Sequence, residues 1–341
     1  MKTGHGKITV WICLLTFAVV FIHGRTAVAE DAFLFDAYVK LDESAERAVK
    51  RAQQWIAETQ LPDGSWNTRH GRNNTGVIAF ATMSLMVNGS VPGEGPYGKE
   101  VGRGMQFLLN AQKESGLIVA SSDSDAPMYQ HALATICLAE MYGMTENPRI
   151  RTALINAVNL IVDVQHNEGG WRYQPHPTQG DISATVMQVM ALRAASESGI
   201  YVPDETVKKA LVFIKKCYND KEKGFNYMGN GGSAAFARTG AGLVCLQGLG
   251  LHNDPIIPNV VKYIMDNAFN EKAEHKWYGH YYSSVGLYHY GGDQWKTYYP
   301  KVKEIILKEW EKTGHANDLL DTSWQVLILG VPYRYLPIYQ R

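Results

Sequence analysis

Two kinds of apolar pattern alternate along the chain. In the first, apolar residues recur at three- and four-residue spacing against a charged opposite face, as in AERAVKRAQQWIAETQ (45–60) and EVGRGMQFLLNAQ (100–112). The same period returns at 151–165, 205–217, 257–269 and 299–312, and each stretch predicts a surface helix. The second kind occupies 75–87, 129–143, 181–195, 234–250, 280–292 and 320–330, where Ala, Gly, Ser and Thr mix with larger apolar residues and charge nearly vanishes. A helix that is apolar or small on every side is buried on every side. Its small residues also let neighbouring axes approach closely.

One helix of each kind makes a unit of about 52 residues, and such units fill the chain as about six hairpins. An open solenoid needs polar capping repeats at both ends, and neither end repeat has that character. The predicted fold is therefore all-α: an α/α toroid over 45–341, six outer helices closing around six inner ones, with 30–44 as a lead-in. The aromatic ending VPYRYLPIYQR is expected to pack or plug rather than extend into solvent.

Residues 1–29 read differently. Lys2 and Lys7, an apolar run over 8–22 and Ala27-Val28-Ala29 form the charged, apolar, small-residue order of a secretory signal, with cleavage expected after Ala29. Export to the periplasm or cell envelope follows as an expectation. Lys2, Lys7 and Arg25 would leave with that segment, turning a balance of 33 Lys+Arg and 33 Asp+Glu slightly acidic. Nucleic acid is excluded as a partner, because phosphate binding needs clustered Lys and Arg. Cys13 leaves too, and the remaining Cys137, Cys217 and Cys245 do not make a disulfide framework.

One phrase recurs between outer and inner helices: Gln60–Gly64–Trp66, Gln165–Gly169–Trp171, and a degraded copy, Gln112–Gly116–Ile118. Gly224-Phe225 keeps part of it without the Gln. Gln has the amide groups to bond free helix-end carbonyls, Gly supplies a left-handed helix stop, and Trp buries a large ring. A phrase used in several repeats with graded loss reads as joinery between hairpins rather than as a reaction centre.

These phrases resemble the repeats of squalene–hopene cyclases and related prenyltransferase/squalene oxidase repeat proteins, and the resemblance covers nearly all of 30–341. The segments 169–192 and 277–295 and the ending resemble a group of exported bacterial single-toroid proteins. The implied fold is the terpenoid cyclase/protein prenyltransferase toroid. The implied chemistry, if any, is that of a squalene cyclase-like isomerase, in which the middle Asp of an Asp-x-Asp-Asp motif protonates an alkene. Here Asp123-Ser124-Asp125-Ala126 and Asp181-Ile182-Ser183-Ala184 each give only part of that motif, leaving Asp125 and Asp181 as candidate acids. The Asp-x-Cys zinc ligands of protein prenyltransferases and the Asp-Asp-x-x-Asp magnesium motif are absent, so no metal and no cofactor is called for.

A toroid gathers its inner-helix starts around a central funnel, the natural place for a ligand. His131, Asp181, Arg238, His280, Tyr281, Tyr282 and Asp321 are expected there, with Trp171, Tyr173, Trp277 and Tyr278 from adjoining loops. Tyr173, His131, His280, Tyr281, Tyr282 and Asp321 are the candidate ligand-binding set. Asp181 and Asp321 double as candidate helix caps. The main functional expectation is an exported toroid that holds a lipid, isoprenoid or glycan in its cavity, with peripheral membrane association compatible. The alternatives are an isomerase using Asp125 or Asp181, and a polysaccharide lyase or hydrolase. Cavity shape divides them: deep, dry and aromatic for lipid, shallow, wet and acidic for glycan.

Overall fold

The amphipathic segments bury one stripe and no more. Helix α1 (Glu43–Glu58) buries Ala45, Val49, Ala52, Gln53 and Ile56, while its remaining positions stay partly or fully in water. The charge-poor segments behave in the opposite way: every residue of α2 (Thr75–Met86) is buried. This computed structural model describes residues 43–69, 73–121, 124–229, 231–270, 272–333 and 336. The predicted signal segment, nearly all of the lead-in and most of the aromatic ending lie outside them, although Leu336 is buried.

The alternation continues through α3 (Gly98–Asn110), α4 (Pro127–Thr145), α5 (Pro148–Asp163), α6 (Ile182–Glu197), α7 (Asp204–Cys217), α8 (Phe236–Gly248), α9 (Ile257–Asn267), α10 (Lys276–Tyr290), α11 (Gly292–Trp310) and α12 (Leu319–Gly330). Odd-numbered helices form the outer layer and even-numbered ones the inner layer. Each inner helix packs on the next, and α12 returns to pack on α2 while α11 meets α1, so the ring is closed. The fold is an α/α toroid of six hairpins. Small residues set the tightest inner contact, between α8 and α10. A side chain at Gly240 would meet Ser283 Oγ at 2.6 Å, and one at Gly286 would meet Leu243 at 2.7 Å.

One local expectation is corrected, and one element is added. The last outer helix was expected over 299–312 but begins at Gly292. Gly291 and Gly292 both take positive φ and fold α10 directly into α11, which lets Trp295, Tyr298 and Tyr299 bury fully. Pro300 therefore sits inside a helix and forgoes one backbone bond. The added element is a two-residue hairpin, β1 (Tyr218–Asn219) paired antiparallel with β2 (Gly224–Phe225), with Lys223 in the left-handed region at its turn.

The recurrent Gln–Gly phrase has one geometry in three places. Gln60, Gln112 and Gln165 each donate through Nε2 to the carbonyl of their own Gly (Gly64, Gly116, Gly169) and to a carbonyl near the start of the next outer helix. Those second acceptors are Glu100 at 3.0 Å, Ala153 at 2.8 Å and Thr206 at 3.0 Å. The three glycines have φ of 88°, 89° and 97°, and an added Cβ would lie within 2.3 Å of a carbonyl oxygen on that same neighbouring helix. Trp66 and Trp171 are buried, and their indole N–H groups donate to Ile56 and Ile161 carbonyls at 2.7 and 2.8 Å. The atoms of the phrase are thus consumed in fastening outer helices together.

Candidate functional site at the mouth of the toroid

The starts of α2, α4, α10 and α12 surround an open funnel of about 960 Å³. Polar side chains fix its rim. Asn74 caps α2 by accepting the Val77 N–H at 3.1 Å. Gln130 Oε1 accepts the Thr75 N–H (3.0 Å) and hydroxyl (3.1 Å), while its Nε2 donates to Ser124 Oγ at 2.7 Å, pinning the loop that carries Asp125. On the other flank of α2, Asp318 caps α12 by accepting the Asp321 N–H at 3.0 Å. Arg69 joins both acids, Nε to Asp318 Oδ2 at 2.7 Å and Nη2 to Asp321 Oδ2 at 3.4 Å. Two carboxylates, Asp125 and Asp321, therefore face the funnel from either side of α2, the second one held by a cation.

Aromatic rings make the lower wall. Trp277, Tyr278, Phe80 and Trp324 line the funnel, with Phe80 and Trp324 in contact at 4.0 Å between centroids. Lys276 Nζ lies 4.4 Å over the Trp277 ring, a cation–π arrangement. Beneath them, Phe80, Tyr281, Tyr282 and aliphatic residues leave a space of only about 10 Å³, no more than a single water requires. Among the described residues, these side chains fill the lumen directly below the mouth.

The predicted residues divide sharply. Asp125 and Asp321 line the funnel, as do Trp277 and Tyr278. Tyr281 and Tyr282 lie below the funnel and form the plug, Tyr282 donating its hydroxyl to Met187 Sδ at 2.9 Å. Tyr173 stands on the rim beside Tyr129 (centroids 5.5 Å apart), its hydroxyl bonded to that of Tyr227.

His131 is a correction: it is fully buried, its Nδ1 accepting the Ile118 N–H at 3.0 Å and its Nε2 facing the Ala157 carbonyl at 3.2 Å. Burial drives its pKa down to about 4, so the neutral ring is the stable form. Thr185 and Thr239 do the same for Trp171 and Phe225, so His131 is a joint residue in register with them. His280 is a second correction. It points outward to Tyr298, with Nδ1 2.8 Å from its hydroxyl, and packs among Phe236, Phe269 and Trp277. Burial, with the Lys276 charge, lowers its pKa to about 3. Trp171 is a joint residue, and Arg238 lines a neighbouring hollow rather than the funnel.

Asp181 is the third correction. It caps α6, Oδ1 accepting the Ala184 N–H at 2.8 Å, while Oδ2 is buried with no partner at hydrogen-bonding distance. Burial pushes its pKa up to about 6, against the opposing pull of the Ala184 and Ser183 N–H groups, the Arg172 charge and the Tyr227 hydroxyl. It is fully buried and lines neither the funnel nor the adjacent hollow, whereas its neighbours Tyr129 and Tyr227 do. Asp123 lies outside the described residues.

Arg69, Asn73, Asn74, Gln130, His275, Lys276 and Trp324 were missed. The available signal was positional: they stand in, or one turn beyond, the connections that lead into inner helices. Among the described residues, no three His, Cys, Asp or Glu form a metal-binding set. Cys137, Cys217 and Cys245 are buried free thiols, and burial raises the pKa of each, that of Cys217 to about 12.

No protein-family model matches the chain, and no curated protein matches it in sequence. Solved structures do match its shape. An inactive variant of the α-1,6-mannanase GH76A of Salegentibacter sp. HEL1_6, in complex with α-1,6-mannotriose, superposes with a TM-score of 0.62 at 8% identity, covering 84% of this chain and 98% of that one. A D-mannose isomerase superposes at 0.61 with 13% identity, covering 86% and 97%. The type II terpene cyclase MstE from Scytonema, as a substrate complex, gives only 0.34 at 11% identity over 86% and 98%. At these identities the mannanase and isomerase superpositions show a likeness of fold alone, and it agrees with the toroid read from the repeats.

Proposed function

We propose that the protein is a glycan-cleaving toroid that receives a saccharide in its funnel, with Asp125 and Asp321 as the reacting carboxylates. The observation that carries this reading is the shape of the cavity: wide, open and polar at the rim, then closed by aromatic rings. An isoprenoid or acyl chain needs a long dry channel, and the space under Phe80 and Tyr281 does not provide one. A sugar needs an aromatic face to lie against and convergent polar groups for its hydroxyls. Trp277, Tyr278 and Trp324 supply the first; Arg69, Asn73, Asn74 and Gln130 surround it with the second.

Hydrolysis of a glycosidic bond uses a carboxyl pair, one protonating the leaving oxygen and one acting as base or nucleophile. Asp321, paired with Arg69 at 3.4 Å, is suited to the second role, and Asp125 on the facing loop takes the first. The mannanase and isomerase neighbours support carbohydrate chemistry as a use to which this fold is put, and the expected export would bring the chain to envelope or extracellular glycans. The finer resemblance to squalene cyclases would instead require an alkene-protonating acid at the mouth. Asp181, the acid with the raised pKa, is sealed away from it, and Asp125, which does line the mouth, stands over a space too small for a polyprenyl chain.

The test is release of reducing ends from a panel of polysaccharides, including α-1,6-mannan, by the purified chain; this readout reports both hydrolysis and lyase cleavage. At least one substrate should be cut, and Asp125→Asn and Asp321→Asn should each lower the rate by about 100-fold or more. Failure on every polysaccharide, with conversion of squalene or a shorter polyprenyl to an isomer of equal mass, would replace this reading with the cyclase one.

A further inference from the structure

Next to the funnel lies a second hollow of about 350 Å³, walled by the first turn of α8, the end of α9 and the loop that leads into α10. The two spaces share one residue, His275, which stands in both walls. We propose that this hollow is a second sugar subsite, so that the mouth holds an internal stretch of a glycan chain that crosses His275. The proposal deepens the glycan reading of the funnel and rests on it.

The polar atoms of the hollow are arranged for hydroxyl groups. Arg238 spends Nη2 on the Ser233 carbonyl at 3.1 Å, while its Nε is buried without a partner. Asn267 uses its Nδ2 on the Tyr263 carbonyl at 2.9 Å, which leaves its oxygen as an acceptor. Asn270 does the reverse, its Oδ1 accepting the Lys272 N–H at 3.1 Å and its amide NH₂ remaining as a donor. The set therefore offers donors and an acceptor together. An anion would call for donors alone and an acyl chain for neither, whereas a vicinal pair of sugar hydroxyls both donates and accepts. Tyr227 and Tyr263 give the hollow ring faces beside these groups. At about 300–1,000 Å³ for ligand pockets in general, the funnel and the hollow span the range from its upper to its lower end. Joined across His275, they form a groove rather than a pit.

The experiment is titration calorimetry of the full chain with size-graded α-1,6-manno-oligosaccharides, cello-oligosaccharides and oligogalacturonides, from disaccharide to hexasaccharide. In at least one series the affinity should rise by about tenfold or more between the disaccharide and the pentasaccharide. In Arg238→Ala, and independently in the loop variant Asn270→Ala, that ratio should fall toward one. In Arg69→Ala, which alters the funnel instead, all lengths should weaken together and the ratio should persist. A wild-type ratio near one, or an unchanged ratio in both hollow variants, overturns the second subsite and leaves the funnel reading standing. Absence of binding by every series overturns the funnel reading itself, and the subsite with it.

Discussion

At the joints between outer helices the same atoms meet in repeat after repeat, whereas the residue before each inner helix changes every time the chain comes round. Gln60, Gln112 and Gln165 find equivalent carbonyls. The residues preceding the inner helices are Asn74, Ala126, Asp181, Ala235, His275 and Asp318, and only three of them cap with their side chains. The joints are built largely on backbone carbonyls, which every residue type supplies, so one solution serves at three successive places in the ring. The mouth is built on side chains, and there departures from the repeat mark the places where something other than ring closure is being served. Stability should therefore reside in the repeated positions and ligand chemistry in the irregular ones.

The largest expected effect falls on a joint. Gly169→Ala places a Cβ 1.9 Å from the Lys209 carbonyl oxygen at a φ of +97°. Overpacking and left-handed strain together should cost about 3–5 kcal/mol. Gly199→Ala is the control, since its φ is +86° and nothing lies within 4 Å of the added carbon. It should cost only the conformational part, about 1–2 kcal/mol. Urea unfolding of the two variants measures the difference, and equal losses would mean that the joint contact contributes nothing.

Asp181 is the position where cap and acid were hardest to separate, and pH separates them. Its folded pKa of about 6 exceeds the ordinary 3.8 because burial favours the neutral acid. The protonated carboxyl is therefore the form the fold prefers. Its stabilising contribution is complete below the unfolded value and is lost as pH rises through about 6. Asp181→Asn keeps an oxygen for the Ala184 N–H and cannot ionise. It should stabilise the protein at pH 8 by about 1–3 kcal/mol, with a gain near zero at pH 4. Denaturant unfolding at the two pH values checks this. A loss of stability at pH 8 would show that the charged cap outweighs its burial, and a loss of glycan cleavage would return Asp181 to the reaction.

Much of this architecture was legible from periodicity. The alternation of striped and charge-free helices specifies two layers, and near-equal repeat length specifies a ring. The joints were legible as well, because Gln, Gly and Trp have few other reasons to recur at fixed spacing. The site was legible only in part. Asp125, Asp321, Trp277 and Tyr278 were named because they stand near inner-helix starts, and the same rule misplaced His131 and His280. Position near a helix start fixes height in the ring, whereas the side to which a residue points depends on a rotation of about 100° per residue. His280 thus turns outward to Tyr298 while Tyr281 and Tyr282 turn to the axis. For His131 the repeat register held the answer, since Thr185 and Thr239 occupy the same place. The filled lumen below the mouth was not legible at all, because it depends on how Phe80, Tyr281 and Trp324 meet across the axis from three different hairpins.

The smallest expected change in stability belongs to the mouth, and it sharpens the comparison most. The Arg69 side chain is 57% exposed and sits in a loop, joined to Asp318 and Asp321 at the rim. Exposed ion pairs contribute little, so Arg69→Ala should alter unfolding free energy by less than about 1 kcal/mol. Asp321, facing the funnel, would lose one of the contacts that hold its carboxylate in place. The proposed glycan cleavage should fall by about tenfold or more, because a reacting carboxyl that is less well positioned reacts more slowly. Arg69→Lys restores the charge without the forked geometry that reaches two carboxylates, and should recover the rate only in part. If Arg69→Ala instead cost as much stability as a joint substitution, the mouth would be one more fastening of the ring, and the separation of joint from site would fail at the residue where it is most exposed.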